Sequence, residues 1–267
     1  MIYLKTFKLS DRRSKNYNIY PYNVLKGKEP DIFIFDNITV LYGNNGSGKS
    51  TILNIIANKL NLDGREMISS QRFFYEYTSL CEYSLGNDEY GKMIKIIPNG
   101  SRYIKSEELL YEVSKIQNDS ILEESYILGK VKEGMDKKQA KELIDTKQGL
   151  KELENIRFGQ EKYSNGETAM QYFVDRLEPD KLYLLDEPEV SLSIQSQIEL
   201  ANIINHMSRY LNCQFIISTH SPFILGTLNA KIYNLDTKNY DVQNWNELEN
   251  VKLFYKFFKE KENELKN

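Results

Sequence analysis

The sequence predicts an α/β fold, a mixed sheet flanked by helices, on three observations. Residues Gly43 to Thr51 read G-N-N-G-S-G-K-S-T and join an apolar strand, Ile38 to Tyr42, to an apolar-faced helix, Ser50 to Leu60. Two further apolar runs, Lys181 to Leu185 and Gln214 to Ser218, end in residues that carry chemistry: Asp186 and Glu187 after the first, His220 after the second. The stretch from about 65 to 160 is more polar, loses a single period and reads as an inserted, mainly helical subdomain.

Taken in order, Ile2 to Leu9, Tyr17 to Leu25 and Ile32 to Phe35 alternate or run apolar like strands, with Gly27 and Pro30 between them. Short links of this kind predict an N-terminal antiparallel β ribbon. Within the insertion, Met93 to Pro98 reads as a short strand, and Ser106 as the N-cap of a helix with Leu109, Leu110, Val113 and Ile116 on one face. Regular structure returns with the strand at Lys181, a helix from about Ile194 to Tyr210, the strand at Gln214 and a further strand at Ile232 to Leu235. Asn250 to Leu265 is a terminal helix striped by Val251, Phe254, Tyr255 and Phe258. The expected organisation is one domain, 1–267, with a core of 1–64 and 160–236, an insertion of 65–159 and a C-terminal helix in 237–267.

The glycine-rich loop specifies a ligand. Gly43, Asn44, Asn45, Gly46, Ser47 and Gly48 can turn successive backbone N–H groups into one concavity, and the following helix adds its unpaired donors and positive dipole end. Lys49 would neutralise β- and γ-phosphate oxygens, Ser50 would ligate a Mg²⁺ that keeps water, and Thr51 continues the helix start. A plain turn needs one or two glycines and no Lys-Ser pair. The expected ligand is a nucleoside triphosphate.

At Lys181 to Glu189 an apolar strand delivers two carboxylates at its C-terminal end, where ligands of open α/β sheets bind. Asp186 is the expected Mg²⁺ ligand and Glu187 the base that orients and deprotonates the attacking water. His220, in F-I-I-S-T-H-S-P, is the expected γ-phosphate sensor, whereas His206 sits mid-helix and reads as structural. Ser164 to Glu167, S-N-G-E, could form a capping box at a helix start, whose donors also make a second phosphate grip.

Composition bounds the partners. With 35 basic and 38 acidic residues the formal charge is −3, so no global field advertises nucleic acid. The first thirty residues lean basic, which reads as a solvated face, with Arg12 and Arg13 as candidates for base or phosphate contacts. Two isolated cysteines, Cys81 and Cys213, argue against a disulfide framework or zinc and suit a cytoplasmic location. No stretch has the length of a membrane span or the pattern of a signal peptide.

The succession of phosphate loop, S-N-G-E, D-E-P-E, S-L-S and S-T-H resembles an ATP-binding-cassette ATPase of the P-loop NTPase class, in the soluble branch that includes RecF and SMC-type heads. It covers about residues 30–65 and 160–236. The resemblance implies ATP and Mg²⁺ as cofactors and an ATP-dependent homodimer, with the loop of one subunit facing the signature of the other. Carried over by position, Ser164, Gly166 and Glu167 would lie against the γ-phosphate bound by the partner copy. Ser191, Leu192 and Ser193 would link the two sites, and Gln71 would contact Mg²⁺ and water, although it follows Lys49 closely. Asn165 stands where the family commonly has Gly, Glu167 where Gln is frequent and Ser193 where transporters have Asp, which bears on turnover. Tyr17, Tyr20 and Tyr22 are alternatives for stacking on adenine.

The same resemblance extends to standalone ATPases that work with a nuclease or toxin in bacterial defence, so a protein partner is expected. An ATP-gated binding module with slow or no turnover and a RecF-like ATPase that binds DNA are the alternatives. Only about 115 residues separate Lys49 from Ser164, without sustained heptads, which excludes a long coiled-coil arm. A GTPase is disfavoured, because Asn58 to Asn61 lacks the Asp of a guanine motif.

Overall fold

The computed structural model describes the chain except residues 13–17, 29–31, 67–71, 107–122, 124–125, 133, 145, 147–148, 151–169, 171–172, 191 and 267. It divides into two compact units, one of Met1–Ser106 with Asp175–Asn267, the other of Glu107–Val174.

In the larger unit, β1 (Leu4–Lys8), β2 (Phe33–Ile34) and β4 (Glu82–Leu85) form an antiparallel sheet in the order β2-β1-β4. A six-stranded sheet carries the site. It contains β3 (Ile38–Tyr42), β5 (Arg102–Lys105), β6 (Leu182–Asp186), β7 (Gln214–Ser218), β8 (Lys231–Asn234) and β9 (Val242–Gln243), ordered β5-β6-β7-β3-β8-β9. The first five are mutually parallel and β9 runs antiparallel to β8. Every residue of β3, β6 and β7 is buried, which is why each reads as an unbroken apolar run. Register aligns their carboxyl ends: Lys105 lies opposite Asp186, Asp186 opposite Ser218, and Ser218 opposite Leu41.

Gln214 joins the two sheets. It is fully buried, its Oε1 accepts from the N–H of Tyr3 and Leu4 at 2.9 and 2.8 Å, and its Nε2 donates to the carbonyls of Leu4 and Asp36. All its hydrogen-bonding capacity is used, so this polar side chain is offset in the core by four partners.

Helices α1 (Lys49–Lys59) and α2 (Arg72–Ser79) follow the loop. In the smaller unit α3 (Lys137–Ile144) buries Ala140 and Ile144 in a cluster with Tyr126 and Ile127. Beyond β6, α4 (Ile194–Tyr210) buries Leu200, Ala201, Ile204, Met207 and Ser208 on one stripe. Ser193 caps it, accepting from Ser196 N at 3.1 Å. α5 (Pro222–Thr227) is capped by Ser221 with Pro222 in its first turn. α6 (Glu249–Glu260) and α7 (Glu262–Leu265) end the described chain.

Four expectations need correction. The strand expected over Tyr17 to Leu25 is absent: residues 18–27 fold as turns, with Asn23 N donating to Ile19 O and Leu25 N to Pro21 O, and Tyr17 itself lies outside the described residues. The alternation of Tyr20 and Tyr22 is satisfied by ring packing on Phe74 and Tyr77 instead of by a ladder, and Pro21 between them lacks the N–H that a ladder needs.

Met93 to Pro98 contributes one bridge, Asn87 to Met93, because the Asp88 carboxylate takes the N–H of Tyr90 and Lys92 and turns the chain locally. The expected insertion of 65–159 also shifts. Residues up to Ser106 are part of the larger unit, since β4 pairs with β1 and β5 with β6, and the smaller unit runs on to Val174. The terminal helix is broken at Lys261 into α6 and α7. The helix expected after Ser106 lies outside the described residues.

Candidate functional site

The loop leaves β3 and closes on the first turn of α1. Gly46 and Gly48 have φ of 83° and 99°, a region that L side chains rarely adopt. A Cβ on Gly43 would lie 2.5 Å from Ser47 Oγ. Lys49 is 4 % exposed, and its ammonium curls back to donate to Gly43 O at 2.8 Å and Asn44 O at 3.3 Å. Asn44 N donates to both carboxylate oxygens of Asp236, at 3.0 and 3.1 Å, so a residue just beyond β8 pins the rim of the loop. Lys28 in turn donates to the carbonyls of Leu235, Asp236 and Thr237.

Beside the loop, β6 presents Asp186. Its carboxylate accepts from Ser50 Oγ at 3.1 Å, from Tyr103 OH at 2.8 Å and from Ser218 Oγ. These hydroxyls come from α1, β5 and β7, so three elements converge on one carboxylate. Burial, then the Asp186 charge, pushes the Tyr103 phenol well above its usual range and keeps it a donor. Ser106 Oγ donates to the carbonyls of Asp186 and Glu187.

Glu187 has a φ of 49°, a left-handed conformation that costs a non-glycine residue about 1 kcal/mol. Its N–H donates to Ser218 O and Ser218 Oγ, both at 3.0 Å, which holds the turn. The Glu187 carboxylate then lies 3.5 Å from Lys49 Nζ and 3.7 Å from His220 Nδ1. Glu189, on the same turn, takes the N–H of His220 at 3.0 Å, and burial pushes its carboxyl pKa up.

The structure therefore brings Gly43 to Thr51, Asp186, Glu187 and His220 to one end of the sheet. Ser193 stands apart as the cap of α4, with its hydroxyl engaged by Ser196. Gln71, Ser164, Gly166, Glu167 and Ser191 lie outside the described residues, as do Arg13 and Tyr17. Tyr22 is buried on Tyr77 and Tyr20 stacks on Phe74, so both rings are engaged in packing. His206 packs against Tyr210 on α4. Sequence reasoning missed Tyr103, Ser106, Ser218, Glu189 and Asp236. The available signal for Asp236 was an acid just beyond an apolar strand, the same signal that marks Asp186.

Among the described residues no group of three or more His, Cys, Asp and Glu side chains could hold a metal by itself. Ser50 and Asp186 supply a hydroxyl and a carboxylate 3.1 Å apart, hard oxygen donors that suit a Mg²⁺ completing its shell with water and phosphate oxygens. The left-handed glycines, the inward Lys49 and a buried Ser47 hydroxyl that has no hydrogen-bond partner among the described residues fit a phosphate ligand.

A parallel core with the phosphate loop on β3, the acid pair on β6 and the histidine after β7 completes the pattern. The fold is a mixed α/β sheet flanked by helices, with a phosphate-loop sequence leaving the carboxyl end of its central strand. A family profile described as AAA domain, putative AbiEii toxin, type IV TA system matches residues 151–226. The lipoprotein-releasing system ATP-binding protein LolD of Saccharophagus degradans is 26% identical over 215 residues, 80% of this chain and 86% of that protein. An SMC head domain from Thermotoga maritima is 14% identical at a TM-score of 0.40, covering 87% of this chain and 94% of that one. An Smc head from Pyrococcus furiosus, bound to the C-terminal domain of ScpA, is 13% identical at a TM-score of 0.47, covering 96% and 100%. No helix among the described residues is long and apolar enough to cross a membrane.

Proposed function

We propose that the chain binds ATP with Mg²⁺ and hydrolyses it to ADP and phosphate, as an ATP-sandwiched homodimer whose closing and opening regulate a partner protein. One observation carries the ATPase reading: Glu187 is held within 4 Å of both Lys49 and His220, beside the Ser50–Asp186 pair. Lys49 and the loop N–H groups would bind the β- and γ-phosphates, and Ser50 with Asp186 would hold Mg²⁺, which supplies charge neutralisation at the phosphates. Glu187 would accept a proton from the attacking water, while His220 would orient that water or the γ-phosphate. Ser164, Gly166 and Glu167 belong to the proposal as the partner copy's contribution, with Ser193 at the subunit boundary and Gln71 as a further metal contact.

Glu187→Gln removes the base and keeps the size, so turnover should fall about 10²- to 10⁴-fold while ATP still binds. Light scattering of this variant with ATP and Mg²⁺ should show twice the 31.3 kDa chain mass. A monomer that still binds ATP would sink the sandwich.

An effector such as a nuclease or toxin is the partner proposed, and a cytoplasmic setting goes with it. Support comes from the profile's toxin–antitoxin description and from an apolar groove of about 560 Å³ lined by Phe223, Trp245, Phe254, Tyr255 and Phe258. The groove also favours the second reading, a slow ATP-gated binding module. Brisk turnover by the isolated chain would count against that.

A further inference from the structure

We infer that Glu189 is a positioning residue for the proposed hydrolysis, holding His220 against Glu187 by bracing the turn after β6 to the turn after β7. This rests on the ATPase reading above. The two turns must keep register for Glu187 and His220 to meet, yet each is a loop at a strand end, where backbone freedom is greatest. Among the described residues Glu189 and Gln197 bridge them. Glu189 Oε1 accepts from His220 N at 3.0 Å and lies 3.9 Å from His220 Nε2. Gln197 donates from Nε2 to Leu192 O at 2.9 Å and accepts from Ser221 Oγ at 2.6 Å. His220 is thus braced on its own N–H and at the next residue.

Glu189 is no ordinary surface acid. Its side chain is 9 % exposed, and its Oε2 is buried without a hydrogen-bond partner among the described residues. An orphaned buried carboxylate oxygen is costly, and the turn is already closed by Leu192 N donating to the backbone carbonyl of Glu189, so the turn itself does not need the acid. What the carboxyl adds is the link to the turn after β7, at His220 and at Thr219 just before it. The imidazole lies between two carboxylates, Glu187 3.7 Å from Nδ1 and Glu189 3.9 Å from Nε2.

The test is a double-mutant cycle with ATP and Mg²⁺ on the full chain, together with amide hydrogen exchange on the nucleotide-free protein. Glu189→Ala should lower kcat about tenfold or more with KM for ATP kept within about twofold, and Glu189→Gln, which retains the acceptor, should restore kcat. In a His220→Ala background the same Glu189→Ala change should cost less than about twofold. Exchange at the His220 amide should quicken about tenfold in Glu189→Ala. Glu189→Asp keeps the charge but shortens the reach, and should behave like the alanine variant; wild-type kcat in Glu189→Asp overturns the inference. So does an equal loss in both backgrounds, or unchanged exchange at His220. If the wild-type chain does not hydrolyse ATP, the ATPase reading falls, and the exchange result alone decides whether Glu189 braces His220.

Discussion

Asp236 shows how a residue outside the motif can set the shape of a phosphate loop. Its carboxylate takes the N–H of Asn44 with both oxygens, which fixes the direction of the loop's first turn. Because Asp236 is exposed, the contact is worth only about 1 kcal/mol, so Asp236→Ala should weaken ATP binding about fivefold by calorimetry. Lys49→Ala should abolish detectable binding, since its buried ammonium sits directly on the loop carbonyls of Gly43 and Asn44. The cysteines give a separate residue-scale expectation. Burial raises the Cys81 thiol to about 11 and also raises Cys213. At pH 8 about one Cys81 in a thousand would be thiolate, so neither thiol should react with a thiol reagent until the chain unfolds, when both should.

At the scale of elements, β5 depends on a glycine. Gly64 has a φ of 74°, and a Cβ there would lie 2.2 Å from Tyr103 O. Gly64→Ala should therefore destabilise the fold by about 3 kcal/mol in urea unfolding. Gly46→Ala, with a φ of 83° and no described residue within 4 Å of the new Cβ, should cost only about 1 kcal/mol. The same strand shows where sequence reading stopped. β3, β6 and β7 were legible because burial on both faces leaves an unbroken apolar run, and their polar ends then marked Lys49, Asp186 and His220. β5, R-Y-I-K, has polar ends of its own and no such run, and Tyr103 gains its role only when β5 pairs with β6, 83 residues away from Asp186. Tyr20 and Tyr22 misled for the converse reason: their alternation records packing on α2, not a strand.

For the whole molecule, a formal charge of −3 offers little general attraction to a polyanion. Turnover at about 0.15 M salt should then change less than about twofold when duplex DNA is added. Stimulation that fades steeply with salt would instead point to the DNA-coupled alternative. The positions that complete the site are also far apart along the chain, which spreads its assembly over the time of translation. Asn44 and its partner Asp236 are 192 residues apart, and Tyr3 waits for Gln214, 211 residues later. At about 5–20 residues per second, a ribosome needs roughly 10–40 s to pass from one to the other. For most of that interval β3 has neither β7 nor β8 beside it, so both edges of the future nucleotide floor are bare in the nascent chain. The phosphate loop is translated early and becomes a site late.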